Sequence, residues 1–410
     1  MAKRALLVGC NYPGTKCELH GCANDVKRMR TTLVERFGFD ESDILVMLDT
    51  DPSTPQPTGA NIRSSLKKLI NSVEPGDVLV FHYSGHGTQV PPESGAPGES
   101  DTEEAIVPTD MNLLTDDDVR ELVNQIPAGV TFTFLSDSCH SGGMIDNEKE
   151  QIGGGDRGVQ SQTRDFHFPS SGERIQQEEE GALYGERGHR QPPRSYQQEE
   201  GYGGEERYEG SEGRRKHQIS KNIPVDLLTQ ILSQRTGQNV QVGNIRTTIF
   251  DMFGDQASPS VKMFVNLALQ QLQQGGGQGG WLGTVSSLAS QFLQTKLDDQ
   301  SPEDATNYVA AAEQAGIPGR KTHVASDVSI LVSGCQTDET SADANPTHSP
   351  ANSYGAFSNA IQTVLAQNPS PMRNRELVLA VRKVLAQQGF KQHPCLYCSD
   401  DKVDAPFICE

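Results

Sequence analysis

Two segments of the sequence each place a reactive side chain directly after a run of apolar residues. The first, residues 78–87 (Val-Leu-Val-Phe-His-Tyr-Ser-Gly-His-Gly), ends with His86 between two glycines, and the second, residues 132–143, carries Cys139. A thiol is a useful nucleophile only as its thiolate, and a nearby imidazole can take the thiol proton and later return a proton to a leaving amine. If the two side chains meet, the pair indicates nucleophilic attack on a carbonyl group.

Each of these residues also has an ordinary structural interpretation. A histidine after a strand is usually structural or at the surface, and a single cysteine usually behaves as a small buried hydrophobe. The conjunction of both at glycine-flanked strand ends favours catalysis, with the backbone N–H groups of Gly87 and Cys139 available for an oxyanion. His140 is a competing base, but it follows Cys139 immediately, so its side chain is expected to point elsewhere.

Short apolar runs alternate with helix-like stretches in the first third of the chain, which predicts an α/β fold with a mostly parallel sheet flanked by helices. The strands are predicted at Ala5–Val8, Ile44–Leu48, Val78–Tyr83 and Val130–Leu135, and the helices between them at Asn24–Phe37 and Asn61–Val73. The carboxyl ends of adjacent parallel strands face one crevice. This arrangement would place His86 and Cys139 side by side.

The remainder of the chain changes composition twice. We expect a catalytic part at residues 1–150, a flexible Gln/Glu/Gly-rich linker at 151–222, a helical insertion at 223–325, and a part completing the fold at 326–410. Helices are predicted in the insertion at Pro224–Gln234, Val261–Gln273, Leu282–Leu297 and Pro302–Ala315, and in the last part near Ala356–Ala366 and Glu376–Gln387, after a strand at Val328–Ser333.

Composition narrows the class of protein. The net charge of −19 argues against nucleic acid as a partner, because phosphate binding needs a basic face. No apolar stretch approaches the length needed to cross a bilayer, and the eight scattered cysteines fit a reducing compartment, so a soluble cytoplasmic protein is expected. From Glu93 to Val119 there are nine carboxylates and no Lys or Arg, which indicates either a cation site or a solvated acidic face.

The two reactive segments resemble the catalytic motifs of metacaspases, in the form His-Tyr-Ser-Gly-His-Gly and Asp-Ser-Cys-His-Ser-Gly-Gly. The segments Asn11-Tyr-Pro-Gly-Thr, Gly21-Cys-Ala-Asn-Asp-Val and Ile106-Val-Pro-Thr-Asp match that family too, and the long insertion before Ser333-Gly-Cys-Gln-Thr-Asp is similar to the plant type II branch. The resemblance implies a caspase-like fold, cysteine endopeptidase activity, a monomer, and a role in stress or damage responses or programmed cell death.

The resemblance also implies a pocket for a basic P1 side chain, lined by Asp25, Ser84 and Asp137, with Asp343 as a weaker candidate. Asp137 and Ser84 each lie two residues before a catalytic residue, so in strand geometry they project to the same side. Carboxylates there favour an Arg or Lys side chain and reject an acidic one. Asp25 has a second interpretation, as the N-cap of a helix.

Calcium and self-cleavage follow from the same resemblance. Asp101, Asp117, Asp118 and Asp146 match calcium-binding positions of the family, and hard oxygen ligands suit that ion. The loop at 99–105 departs from the family form, so Glu103 or Glu104 is an alternative ligand. A linker lysine plugs the active site of plant type II relatives before cleavage. We expect that residue to be Lys221, with Lys216 and Arg215 as alternatives, and the protein itself to be a substrate.

Other signals are weaker. Residues 9–16 nearly match a phosphate-binding loop, but the order of Lys and Thr is inverted. Cys395 and Cys398 lack a second Cys or His pair at zinc-finger spacing. The alternative function, from another class, is a caspase-like scaffold that acts by binding proteins without turnover.

Overall fold

The strands and helices of the fold come from both ends of the chain. The computed structural model describes residues 1–90, 102–139, 144, 150–153, 208–209, 215–265, 328–336, 339–347 and 349–409. These residues belong to a compact unit formed by Met1–Gly154 and Gly203–Glu410; a second unit, Gly155–Tyr202, lies outside the described residues. The first unit therefore contains every element discussed below.

Strands are numbered in chain order within the described part. They are β1 (Lys3–Gly9), β2 (Ile44–Leu48), β3 (Val78–Ser84), β4 (Gly87–Val90), β5 (Glu103–Ile106), β6 (Leu114–Thr115), β7 (Thr131–Asp137), β8 (Glu150–Ile152), β9 (Tyr208–Glu209), β10 (Arg215–Ser220), β11 (Ser329–Ser333), β12 (Ala342–Asn345), β13 (Tyr354–Gly355) and β14 (Cys395–Cys398).

Helices are numbered in the same way. They are α1 (Cys22–Glu35), α2 (Gly59–Ile70), α3 (Asp116–Val123), α4 (Val225–Thr236), α5 (Ile245–Phe253), α6 (Ala356–Gln367) and α7 (Asn374–Gln387), and residues 259–265 are also helical. None of the described helices is long and apolar enough to span a bilayer.

The central sheet of the described residues contains seven strands in the order β2-β1-β3-β7-β11-β14-β8. The five strands from β2 to β11 are parallel, and β14 followed by β8 extends the sheet beyond β11 through antiparallel pairing. The predicted class, a mostly parallel sheet flanked by helices, is confirmed. Two smaller sheets, β13-β12-β10-β9 and β4-β5-β6, lie beyond it.

Both faces of the central sheet are buried, because strand residues alternate between two cores. In β1, Leu6 and Val8 belong to one hydrophobic cluster, whereas Ala5 and Leu7 belong to the other. This period-two alternation of apolar residues on both faces is what a parallel sheet covered by helices requires. It also makes the strands rigid supports for whatever follows their carboxyl ends.

Three features differ from the sequence-based expectations. The acidic run at 116–118 begins helix α3, whose N-cap Thr115 accepts a hydrogen bond from the Asp118 backbone N–H. The two ends of the predicted linker lie in strands β8 and β10. Helix α5 was not predicted at all. The predicted helices Leu282–Leu297 and Pro302–Ala315 lie outside the described residues.

Candidate active site

The two predicted catalytic residues follow neighbouring parallel strands. Ser84, the last residue of β3, pairs in register with Asp137, the last residue of β7. His86 and Cys139 each come two residues later, and both are buried. Gly87 packs directly on the nucleophile's backbone, because a Cβ atom built there would lie 1.8 Å from the Cys139 carbonyl oxygen. Only glycine permits this approach, which brings the two catalytic segments into contact.

The ring and the backbone of His86 are held by three residues that the sequence did not single out. The His86 Nε2 atom lies 2.8 Å from the Cys17 carbonyl oxygen, so Nε2 carries the proton and donates it. The Tyr12 ring centroid is 4.8 Å from that of His86, and the Tyr12 hydroxyl accepts the His86 backbone N–H at 2.9 Å. The Tyr83 hydroxyl donates to the His86 carbonyl at 2.9 Å.

This tautomer leaves the other ring nitrogen free to accept a proton. The His86 Nδ1 atom is buried and forms no hydrogen bond of normal geometry with the described residues. Burial lowers the pKa of His86 to about 4, against the opposing effect of carbonyl groups of Cys17 and Lys221. The imidazole is therefore neutral at physiological pH, which is the form a general base needs.

The Cys139 thiol contacts a loop from the last part of the chain. The Ser341 backbone N–H donates to Cys139 Sγ at 3.0 Å. A second thiol, that of Cys335, interacts with Cys139, and this contact together with burial raises the pKa of Cys335 well above its ordinary value. Cys335 thus remains a protonated thiol, and Cys139 is the cysteine placed to act as nucleophile.

A lysine occupies the predicted P1 pocket. The Lys221 Nζ atom lies 3.0 Å from Asp137 Oδ1, 2.9 Å from Ser84 Oγ, 3.1 Å from the Asp137 carbonyl oxygen and 3.8 Å from Asp25 Oδ2. The Lys221 side chain is fully buried, as are Asp25, Ser84 and Asp137. The three residues named for this pocket thus surround one ammonium group.

The charges in this pocket depend on one another. Burial lowers the pKa of Lys221, but Asp137 and the neighbouring acids outweigh it and raise that pKa above its ordinary value. Burial raises the pKa of Asp137, but Lys221 and the Ser358 N–H lower it below the usual range. Burial, with the charges of Asp137 and Asp343, raises the pKa of Asp25 well above the ordinary value despite Lys221. Lys221 and Asp137 therefore form the charged pair.

Asp25 and Asp343 hold backbone around this pocket. The Asp25 carboxylate accepts the Ser84 hydroxyl at 2.9 Å and the Gly355 N–H at 2.8 Å. The N-cap of α1 is Gly21, so the alternative interpretation of Asp25 as that cap is wrong. Asp343 accepts the backbone N–H groups of His20 at 2.7 Å and Gly21 at 2.9 Å, and burial raises its pKa to about 6.

Gly355 closes the pocket, a role that the sequence did not indicate. A Cβ atom on Gly355 would lie 2.4 Å from Lys221 Nζ and 2.2 Å from Asp137 Oδ2. Both distances are far inside van der Waals contact, so a side chain at this position would displace the ammonium group or the carboxylate. The pocket has its depth because residue 355 carries no side chain.

The backbone around Lys221 runs through the cleft as an extended strand. The Gly87 N–H donates to the Lys221 carbonyl at 2.9 Å, and the Lys221 N–H donates to the Ser341 carbonyl at 2.9 Å. Strand β10, which leads into Lys221, pairs antiparallel with β12. The carbonyl that follows the pocket-filling side chain therefore sits on Gly87, one of the two residues named for oxyanion binding. The alternatives Lys216 and Arg215 lie in β10, outside the side chains described.

The predicted calcium residues are only partly described. Asp101 and Asp146 lie outside the described residues. Oxygen atoms of Glu103, Asp116 and Asp117 all lie within 4.8 Å of one another, a hard donor set of the kind that calcium prefers. Asp117 also pairs with Arg120, and Glu103 pairs with Arg246. Asp118 instead accepts the Thr115 N–H at 3.1 Å and the Ser260 N–H at 3.0 Å.

Comparison with known proteins places this site in a family context. A family model described as metacaspase, peptidase C14 domain, matches residues 3–148. The chain is 46% identical to Metacaspase-4 and 43% identical to Metacaspase-6 of Arabidopsis thaliana, covering 100% of both chains in each case. It is 40% identical to Metacaspase-1 of Schizosaccharomyces pombe, but over only 35% of each chain. The full length is thus shared with the plant proteins.

Removing the ammonium group should destabilise the fold in a pH-dependent way. A Lys221→Met substitution, made with Cys139→Ala so that chain cleavage plays no part, leaves buried carboxylates without a cation. We expect the free energy of unfolding to fall by about 3–5 kcal/mol at pH 7.

The loss of unfolding free energy caused by Lys221→Met should become smaller as the pH falls towards 5. Without the ammonium group, the folded-state pKa values of Asp25 and Asp137 rise above their unfolded-state values, so the penalty shrinks as the pH falls and is lost only below the unfolded-state pKa of a carboxyl. Thermal and denaturant unfolding at several pH values measure the effect, with exposed Lys68→Met as the control. A loss of stability that is equal at pH 7 and pH 5 would contradict this electrostatic account.

Proposed function

The chain belongs to the metacaspase family of cysteine peptidases, and on this premise we propose that it is a calcium-dependent endopeptidase that cleaves after Arg or Lys and is activated by cutting itself after Lys221. Its substrates are proteins, as the family implies. We further propose that it acts as a cytoplasmic monomer in stress or damage responses or programmed cell death.

The observation that carries the proposal is Lys221 held as a substrate would be held. Its side chain fills an acidic pocket, and its carbonyl accepts the N–H of Gly87, the residue that follows His86 and contacts the Cys139 backbone, at 2.9 Å. A peptidase that accepts a basic P1 residue needs this combination. Lys221 and its backbone are thus held in the way that is proposed for the P1 residue of a substrate.

The proposed reaction uses the neutral imidazole as base. Cys139 passes its proton to His86 Nδ1 and attacks the P1 carbonyl carbon, while the N–H groups of Gly87 and Cys139 hold the developing oxyanion. The peptide C–N bond then breaks as His86 returns the proton to the leaving amine, which leaves a thioester on Cys139. Water, activated by the same imidazole, hydrolyses the thioester and restores the thiol.

The P1 preference can be tested by turnover. Processed enzyme should hydrolyse peptides with Arg or Lys at P1 and leave matched Asp-P1 peptides intact, because Asp25 and Asp137 repel an acid. Asp137→Asn should lower kcat/KM for the basic substrates on the order of a hundredfold, since it removes one partner of a buried charge pair.

Cys139→Ala protein that has been cut after Lys221 by added active enzyme should show none of this turnover, while peptide binding, measured by calorimetry, persists. Binding of basic peptides by the protein cut after Lys221, with no turnover of any of them, would instead favour the alternative function, a scaffold that acts by protein binding.

Self-cleavage should occur between Lys221 and Asn222. Lys221→Arg keeps the charge and should still be processed, whereas Lys221→Gln should lose the cut, because a neutral amide cannot compensate the buried Asp137 carboxylate. Amino-terminal sequencing of the released fragment should read Asn-Ile-Pro-Val. A fragment that begins at His217 or Lys216 would show that the alternatives Lys216 or Arg215 are the cut sites.

Calcium is proposed to act at the acidic region of Asp101, Asp117, Asp118 and Asp146, with Glu103 or Glu104 as alternative ligands. The proximity of Glu103, Asp116 and Asp117 supports a site there, and it favours Glu103 over Glu104 and adds Asp116. Asp118 has both carboxylate oxygens engaged by Thr115 and Ser260, so it supports the loop through hydrogen bonds.

Chelation should stop activity, and added calcium should restore it. The double variant Asp116→Asn with Asp117→Asn should raise the calcium concentration for half-maximal activity by about tenfold or more, because a hard cation loses two charged ligands. Exposed Glu74→Gln serves as the control. Full activity of the chelated protein would remove calcium from the proposal.

A further inference from the structure

The residues that follow Lys221 occupy a second part of the cleft. The Ile223 N–H donates to the Gly87 carbonyl at 2.9 Å, and the Thr88 hydroxyl donates to the Ile223 carbonyl at 2.7 Å. Asn222 forms a parallel bridge with Gly87. The edge Gly87–Thr88, here called the primed edge, therefore holds the chain on the far side of the proposed scissile bond.

The side chains of Asn222 and Ile223 differ in burial. Ile223 is completely buried and belongs to one of the two hydrophobic clusters, whereas Asn222 is partly exposed. Relative to cleavage after Lys221, Asn222 is the first primed residue, P1′, and Ile223 is the second, P2′. The site thus encloses an apolar side chain at P2′ and leaves P1′ open to solvent.

We propose that the primed edge is a substrate subsite that selects an apolar residue at P2′, with the Thr88 hydroxyl positioning the P2′ carbonyl. This inference rests on the proposed peptidase function and extends it to the leaving side of the substrate. The main-chain contacts of Gly87 accept any residue, so selectivity comes from burial of the P2′ side chain and from Thr88.

The Thr88 hydroxyl gives a physical reason why the enzyme should favour substrates that extend to P2′. The Thr88 side chain is fully buried, and its hydroxyl donates to Ile223 in the occupied cleft. A substrate without a P2′ carbonyl removes that acceptor, and a buried donor left without a partner costs free energy. The same contact fixes the peptide on both sides of the reacting carbonyl, which helps to hold it in the geometry for attack.

The first experiment compares substrates on the processed enzyme. Fluorescence-quenched peptides share one unprimed sequence with Arg at P1 and Asn at P1′, and vary P2′ among Ile, Val, Gly and Asp. We expect kcat/KM for Ile to exceed that for Gly by about tenfold or more, since the Ile side chain becomes buried. Replacing Asn at P1′ by Ala or Ser should change kcat/KM by less than about threefold, because this side chain is partly exposed.

The second experiment tests Thr88 with a matched pair of variants, Thr88→Val and Thr88→Ser. The measured quantity is the ratio of kcat/KM for the Ile-P2′ peptide to that for a short Arg-aminocoumarin amide, which has no primed residue. We expect this ratio to fall about three- to tenfold in the Val variant, as for loss of one hydrogen bond, and to recover in the Ser variant. A ratio that is equal in all three proteins would overturn the role of Thr88.

Different results would contradict the proposed peptidase function and the proposed primed subsite. If the short amide is not hydrolysed at all, the proposed function is wrong. If the amide is hydrolysed but Ile, Gly and Asp at P2′ give equal kcat/KM, the primed subsite is wrong and the peptidase remains. Should Thr88→Val fail to fold, the peptide series on the unmodified protein still decides the P2′ preference.

Discussion

The ion pair between Lys221 and Asp137, with Asp25 beside it, is the interaction on which the arrangement of the cleft depends. Asp25, Asp137 and Asp343 are all buried within a small region, and buried carboxylates are costly unless a cation or hydrogen bonds compensate them. Lys221 supplies the cation, and the N–H groups of Gly355 and Ser358 supply hydrogen bonds. The lysine therefore holds together β3, β7, α1 and the start of α6 as much as it fills a pocket.

The parallel sheet explains why these groups converge. In-register pairing of β3 with β7 puts Ser84 opposite Asp137, and His86 and Cys139 each follow two residues after these strand ends. Parallel strands that are buried on both faces hold their carboxyl ends firmly, so short glycine-containing turns can position reactive side chains. Tyr12 and Cys17, from the loop after β1, then orient the imidazole. Each catalytic residue is thus supported by a neighbouring strand end.

The sequence predicts most accurately those site residues whose side chains follow the two-residue period of a strand. Short apolar runs predict the central strands, and the alternation of side chains along β3 and β7 predicts that Ser84 and Asp137 lie on one side of the cleft. The sequence-based prediction missed α3 because the acidic run that contains Asp116, Asp117 and Asp118 indicated only a cation site or a solvated acidic face, although acids in the first turn of a helix are also stabilised by the helix dipole. It missed Tyr12, Cys17 and Gly355 because their roles depend on contacts between distant segments. Strand β10 carries few apolar residues, so its pairing with β12 left no pattern to find.

If Lys221 blocks the active site as proposed, the blocking group is covalently part of the molecule that it inhibits. A separate inhibitor dissociates when a solution is diluted, whereas a tethered one keeps a constant effective concentration near its site. The fraction of molecules with Lys221 seated should therefore be the same at trace and at abundant expression. Latency of this kind is a property of each single polypeptide, set by the free energy of one local contact rather than by the abundance of a partner.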